Sequence, residues 1–438
     1  MSTNHHRVGE CRMSTSRVSG FYKLSPQERL KLVADARLLS EEEKQILSGD
    51  TPFPLKSANA MIENAVGVMS IPLGIATNFK INGVDRFVTM ATEEASVVAA
   101  ASNAARTAYE LGGFFTSLSG SIMRGQIQVI DLPDPYGAMA RIYENKQGIL
   151  DRCNAKDPTL VSLGGGAIDV EVHVIERAKE PMLVIHLLVD TRDAMGANAV
   201  NTMAEAVAPY IEEVTGGRVV LRIISNLADR RLVRARAVFS AEELGGAEIV
   251  RNIIRAYEFA ECDPYRATTH NKGIMNGISA VVLATGNDTR AVESGAHAYA
   301  SVSGRYRSLT RWEINKDGNL VGTIELPMAV GIVGGATKSH PTASMSLKVM
   351  DIQNAEELAG TIAAVGLAQN LAAMRALAAE GIQKGHMALH ARNLAVMAGA
   401  KDDQIDEVVK QAILAKDVRY DRILELTKQL QAGVANEN

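Results

Sequence analysis

Four short strings carry side chains able to stabilise an oxyanion or to move a proton. Lys272 stands in Thr269-His270-Asn271-Lys272-Gly273-Ile274-Met275-Asn276-Gly277, flanked by amides and small residues instead of other charges. Asp288 follows Thr285-Gly286-Asn287, Glu94 lies in Ala91-Thr92-Glu93-Glu94-Ala95-Ser96, and His386 lies in Gly385-His386-Met387-Ala388-Leu389-His390. An ammonium group holds a developing oxyanion, carboxyl groups hold or deliver protons, and an imidazole gives up a proton near neutral pH. Each residue also has a plainer reading. Most lysines are surface residues, loop aspartates form turns or caps, and a glutamate at a helix start is favourable for dipole reasons alone. His386 and His390 have the i, i+4 spacing of a zinc pair, but Met387 stands where a metalloprotease helix needs glutamate, so no metal is expected.

A fifth string points to a cofactor. Asp193-Ala194-Met195-Gly196-Ala197-Asn198 follows an apolar strand-like run, Pro181 to Asp190, and opens a helix-like one, Ala199 to Val214. A helix start offers unpaired N–H donors and the positive end of the dipole, so strand, tight turn and helix in this order form a phosphate site. The dinucleotide fingerprint GxGxxG occurs nowhere in the chain.

Taken together and in this order, the strings resemble those of the 3-hydroxy-3-methylglutaryl-coenzyme A (HMG-CoA) reductases, closest to the class II type. Asp193 to Asn198 is similar to the family's nicotinamide-cofactor motif, and Glu63-Asn64-Ala65-Val66-Gly67 to its ENVIG segment, with Ala65 where Val is usual. The ATEE stretch is also similar, with Ala95 replacing a Pro common in bacterial members. The resemblance implies Glu94 as proton donor to the substrate carbonyl oxygen, Lys272 as the oxyanion-stabilising cation, and Asp288 hydrogen-bonded to both. It implies His386 as the acid that protonates the departing CoA thiolate. Ser96, Asn226, Arg266, Asn276 and Gln369 would hold the HMG group, with Arg266 suited to its free carboxylate. Asp193, Met195, Gly196, Ala197 and Asn198 would hold the dinucleotide. Asp157 would accept from a ribose 2′-OH and repel a 2′-phosphate, which favours NADH over NADPH. The implied reaction is two successive hydride transfers between HMG-CoA and mevalonate plus CoA, in a homodimer whose sites span the subunit boundary. The alternatives are the same enzyme oxidising mevalonate with NAD and CoA for catabolism, and a non-catalytic assembly protein of the same fold.

The elements that must position these residues follow from composition and periodicity. At 438 residues, 47% hydrophobic and 22% charged with net charge −4, the chain suits two or three globular domains. No cluster of Lys and Arg marks a nucleic-acid or membrane surface. Cys11, Cys153 and Cys262 show no CxxC spacing, which suits the reducing cytosol. No apolar run reads as the roughly 18 residues needed to span a bilayer, and no signal peptide is evident, so a cytoplasmic location is expected.

The pattern predicts a helix pair over 25–48, strands on either side of Asn82-Gly83, and a buried helix over 93–111. Strands and helices then alternate over 122–225, with one helix over 136–152 and residues 168–174 reading as a strand wet on one face. A strand over 278–283 precedes Asp288, and a long helix, 355–379, ends at Gly381. The expected fold is α+β. Residues 21–114 and 223–380 form a large, mainly helical substrate-binding domain. Residues 115–222 form a smaller inserted α+β domain for the dinucleotide, non-Rossmann and ferredoxin-like. Residues 381–438 form a mobile helical flap, and 1–20 a disordered tail.

Overall fold

Serine caps set the first two helices. Ser25 and Glu28 exchange bonds in a capping box, and Ser40 and Glu43 repeat it, so α1 (Pro26–Arg37) and α2 (Glu41–Ser48) start where the sequence places them. The structure is a computed structural model describing residues 15–49, 53–176, 178–379, 382–401, 403–415 and 417–435, with the side chains of 382–389 and 432–435 outside that description.

The chain continues through α3 (Leu55–Met61), β1 (Leu73–Ile81), β2 (Val84–Ala91), α4 (Val97–Tyr109) and β3 (Phe114–Leu118). Next come β4 (Ile122–Ile130), α5 (Pro135–Glu144), α6 (Lys146–Asn154), α7 (Pro158–Ser162), β5 (Gly166–Ile175), β6 (Met182–Asp190), α8 (Ala197–Thr215) and β7 (Arg218–Ser225). They are followed by β8 (Leu232–Phe239), α9 (Ala241–Leu244), α10 (Ala247–Cys262), α11 (Pro264–Ala284), α12 (Thr289–Tyr299), β9 (Thr310–Ile314) and β10 (Leu320–Pro327). The chain closes with α13 (Gly335–Ser339), α14 (Pro341–Met350), α15 (Ala355–Ala379), α16 (Ile382–Met397), α17 (Ile405–Leu414) and α18 (Tyr420–Ala435).

The strands form two sheets, ordered β2-β1-β3-β8-β10-β9 and β5-β6-β4-β7. The second is antiparallel and follows the β-α-β-β-α-β course of a ferredoxin-like unit, with α5, α6 and α8 packed on it. This unit is inserted between β3 and β8, which pair antiparallel, so the chain leaves and re-enters the larger sheet on neighbouring strands. Since β3 belongs to the larger sheet and β7 runs to Ser225, the sheets divide a few residues from the expected limits of 115 and 222.

The larger unit is organised around α15, buried at every position from Leu358 to Leu371 and packed by α4, α10, α11 and strands β3, β8 and β10. A helix apolar all round belongs in a core. By length and composition α15 could cross a membrane, contrary to the reading that no stretch is long enough, yet 61% of its apolar window is buried inside the fold. Helices α16, α17 and α18 have a separate small core built on Ala391, Ile405, Val408, Ile423 and Leu426.

Four local expectations are corrected. Residues 15–20 do not behave as a tail, because the Ser16 hydroxyl donates to Phe79 O at 2.8 Å and to Asp85 Oδ1 at 2.7 Å and docks them on β1 and β2. The rest of that expected tail, with His5, His6 and Cys11, lies outside the described residues, as does the helix end at Gly381. Helix α4 begins at Val97 and not at Glu93, because Ser96 adopts φ 77° and turns the chain. Residues 278–283, read as a strand, are the last turns of α11, where they continue its buried face. Helix 136–152 is divided into α5 and α6 at Asn145.

Candidate active site

Helix α11 carries Lys272 and Asn276 one turn apart, hence on one face. Lys272 Nζ donates to Glu94 Oε2 at 3.2 Å and Asn276 Nδ2 to Glu94 Oε1 at 3.4 Å, joining residues 178 and 182 positions apart. Glu94 lies in the bend before α4, its N–H donated to Thr92 Oγ1 at 3.1 Å. Ser96, next in that bend, holds a left-handed backbone and its hydroxyl caps nothing. Such strain in a residue with a side chain concentrates at functional sites. The side chains of Lys272 and Glu94 are 62% and 40% exposed, so this half-site faces outward in the single chain.

The opposite face of α11 is locked. His270 Nε2 bonds Thr310 Oγ1 and Ser308 Oγ, each at 2.9 Å, while Asn271 donates to Arg307 O at 2.9 Å and accepts from Leu309 N at 3.0 Å. Burial, helped by the nearby Arg266 charge, pushes the His270 imidazole down to about 3, so it packs as a neutral group.

Arg266, in the first turn of α11, is half-buried and forms no ion pair among the described residues, and burial pushes its guanidinium pKa down. Gln369 of α15 is buried with its Oε1 unpartnered, lying against Gly277, the residue after Asn276. A half-buried cation on α11 with no ion pair among the described residues, and an orphaned amide oxygen on a side chain packed against Gly277, can receive a carboxylate and a hydroxyl. Asn226 is exposed in the connection from β7 to β8, just past the end of β7.

Asp288 does not join this group. It caps α12, accepting from Arg290 N at 3.0 Å and Ala291 N at 3.1 Å, and pairs with Arg290 at 3.3 Å. The expected bonds from Asp288 to Lys272 and Glu94 are therefore not made in the single chain, where its Oδ1 serves the helix start and Arg290. His386 lies on α16, and its side chain is outside the described residues.

The cofactor string is a turn between β6 and α8. Gly196 is the N-cap at φ 102°, where a Cβ would sit 2.3 Å from Thr191 Cγ2, so only glycine fits. No side chain caps α8, which leaves its first N–H groups free for a phosphate, with Asn198 exposed and Met195 and Ala197 half-buried beside it. The Asp193 carboxylate, expected on the cofactor, accepts from Ala355 N at 2.8 Å and caps α15, so it shapes the loop from inside. Asp157 accepts from Leu160 N at 2.9 Å as the cap of α7, with Pro158 at the first helical position. Arg192, beside the cofactor turn, donates to Gly164 O just past the end of α7.

The sequence pattern of the hydroxymethylglutaryl-coenzyme A reductase family matches residues 25–391. The chain belongs to that family. It is 56% identical over 434 residues to the 3-hydroxy-3-methylglutaryl-coenzyme A reductase of Archaeoglobus fulgidus, covering 99% of each chain. A probable enzyme of the same name from Borreliella burgdorferi is 35% identical over 445 residues, covering 97% of this chain and 100% of that one. In structure the chain is similar to the class II HMG-CoA reductase of Streptococcus pneumoniae bound to NADPH in open conformations, with TM-score 0.79, 41% identity and coverage of 82% and 99%. A second structure of the S. pneumoniae reductase gives TM-score 0.81, 40% identity and coverage of 95% and 99%.

Within this member of the HMG-CoA reductase family, two residues with positions beside the site escape sequence reasoning. Arg231 sits in Asp229-Arg230-Arg231, a run that reads as surface charge, yet is 1% exposed. Asn287 looks like a turn residue, yet its amide pairs with both the N–H and the carbonyl of Gly331. Only the neighbourhood of Asp288 could have drawn attention to Asn287, and no local signal marks Arg231. Elsewhere, Glu171, His173 and His186 bring ligand atoms within 4.8 Å of one another. Glu171 already accepts from Arg124 and Arg230, and Arg124 reaches His186 Nδ1, so a guanidinium occupies the position a cation would need.

Proposed function

We propose that this chain reduces HMG-CoA to mevalonate and CoA, with NADH as reductant. The observation that carries the reading is the convergence of Lys272 and Asn276 on Glu94, with the unpaired Arg266 on the same helix. Lys272 supports the negative charge that grows on the thioester oxygen, and Glu94, hydrogen-bonded to Lys272, delivers the proton to that oxygen. Arg266 pairs with the free carboxylate of the HMG group, while Ser96, Asn226, Asn276 and Gln369 orient its hydroxyl and carbonyl. Asp288 moves onto Lys272 and Glu94 when the site closes. His386, carried by the flap of α16, α17 and α18, protonates the leaving thiolate; the separate core of those helices suits a unit that moves as one body. The bound dinucleotide supplies a hydride, twice per turnover. Met195, Gly196, Ala197 and Asn198, at the uncapped start of α8 in the inserted unit, would hold its phosphates, while the larger unit would hold HMG-CoA. Asp157, within one short helix of the loop holding Arg192, favours a ribose 2′-OH over a 2′-phosphate.

The functional unit is a cytoplasmic homodimer. Residues 62–71 cross the surface without helix or strand and expose Val66 at 97% and Met69 at 88%, and just after them Pro72 O accepts from Thr92 N at 3.1 Å, two residues before Glu94, as expected of a segment that a second subunit covers. The test is the loss of nicotinamide absorbance with HMG-CoA and NADH or NADPH. Two NADH should disappear per CoA released; no consumption with either cofactor overturns the activity. A higher kcat/KM for NADPH overturns the cofactor choice, and Asp157→Asn, which keeps a cap for α7, should shift the NADH-to-NADPH ratio about tenfold toward NADPH.

A further inference from the structure

The turn assigned above to the dinucleotide is gripped by buried groups from other segments, and we propose that Arg231 and Asn287 are positioning residues that set where the dinucleotide stands relative to the acids. The proposal rests on that assignment of the turn. Arg231 lies just before β8. Its Nη1 donates to Thr191 Oγ1 at 2.9 Å, Ala194 O at 2.9 Å and Met195 O at 3.2 Å. Its Nη2 donates to Val330 O at 2.6 Å and, more weakly, to Arg192 O at 3.5 Å. One guanidinium thus gathers three carbonyls and a hydroxyl of the cofactor turn and ties them to the glycine-dense segment after β10. Among the described residues its Nε has no partner and no carboxylate pairs with it, and burial pushes its pKa down to about 10 despite the Asp190 and Asp193 charges. A charge this deep is costly, and an apolar side chain would fill the volume at lower cost. What an apolar side chain cannot supply is the shape of the turn.

The segment held by Arg231 then meets Asn287. Gly331 N donates to Asn287 Oδ1 at 2.8 Å and Gly331 O accepts from Asn287 Nδ2 at 3.1 Å. On its other side Gly331 presses on the cofactor turn, where a Cβ would come within 2.5 Å of Met195 N, and Ile332 N donates to Asp193 O at 2.9 Å. Asn287 is the residue before Asp288. A continuous path, doubly bonded between Asn287 and Gly331, therefore runs from Asp288 to the turn and to Arg231. Misplacing reacting groups by about 1 Å costs on the order of 10²-fold in rate, so a clamp between cofactor turn and acid acts on turnover without touching substrate.

Four variants test the clamp and a fifth tests the turn, read by steady-state kinetics with each substrate varied and by binding of HMG-CoA alone. Asn287→Ala and Gly331→Ala, from opposite sides of the path, should each raise the dinucleotide KM about tenfold and lower kcat, with HMG-CoA affinity within twofold of wild type. Arg231→Lys, which keeps a buried cation but fewer donors, should fall between wild type and Arg231→Met. If Arg231→Met does not fold, the Asn287 and Gly331 variants decide the matter. Gly196→Ala is the control for the turn: unchanged dinucleotide affinity there overturns the turn's assignment and the clamp with it. Weakened dinucleotide binding in Gly196→Ala with unchanged KM in Asn287→Ala and Gly331→Ala overturns the clamp alone, as does an equal loss of HMG-CoA and dinucleotide affinity.

Discussion

Replacing Lys272 by alanine separates catalysis from stability. The Lys272–Glu94 pair spans 3.2 Å, but its side chains are 62% and 40% exposed, so water screens it and it adds at most about 1 kcal/mol to folding. Alanine is also the better helix former on the outer face of α11. The urea midpoint should therefore hardly move. Turnover should respond quite differently, because removing one preorganised donor from a developing oxyanion costs about 10²–10³ in kcat, or about 2.7–4 kcal/mol. The loss should lie at the upper end, since the donor is charged and its removal leaves Glu94 with only the 3.4 Å contact to Asn276. Initial rates at saturating HMG-CoA and NADH, paired with urea unfolding, measure both quantities. A folded Lys272→Ala within tenfold of wild-type kcat would refute the reasoning.

Two further outcomes follow from burial. Met69→Asp places a charge on an 88% exposed apolar side chain of residues 62–71 and should convert dimer to monomer in sedimentation, lowering activity in parallel; an unchanged dimer removes that segment from the interface. His270, depressed from 6.5 to about 3, stays neutral when folded, whereas the unfolded chain takes up a proton as pH falls through 6.5. Stability is thus fully present above pH 6.5 and is lost progressively as pH falls toward 3, with a slope approaching about 1.4 kcal/mol per pH unit. Between pH 7 and 5 the wild type should lose about 2 kcal/mol more than His270→Asn by urea titration, and equal losses would show that His270 is not the titrating group.

Much of this protein is written locally. The capping boxes at Ser25 and Ser40, the alternation in β5 and the turn into α8 at Gly196 depend on neighbours a few residues away, so windows of the sequence suffice to read them. The strings around Glu94, Lys272, Asp288 and His386 are legible for the same reason. Where reading failed, a distant partner had overridden the local pattern. Apolar residues 278–283 could form a strand or a buried helix, and packing of α11 on α15 decided for helix. The apolar run of α15 is core and not span because strands and helices from across the chain surround it.

The site shows the same division. Composition and motif order determined which side chains are available and what chemistry each can do. Tertiary structure alone decided that Glu94 meets Lys272 across 178 positions, that Asp288 is held by α12 and Arg290, that Asp193 caps α15, and that one arginine of a charged run is buried under the cofactor turn. Local preferences involve a few dihedrals and nearby donors. Which distant surfaces close on one another depends on the packing and burial of the whole chain, and no short window contains that information.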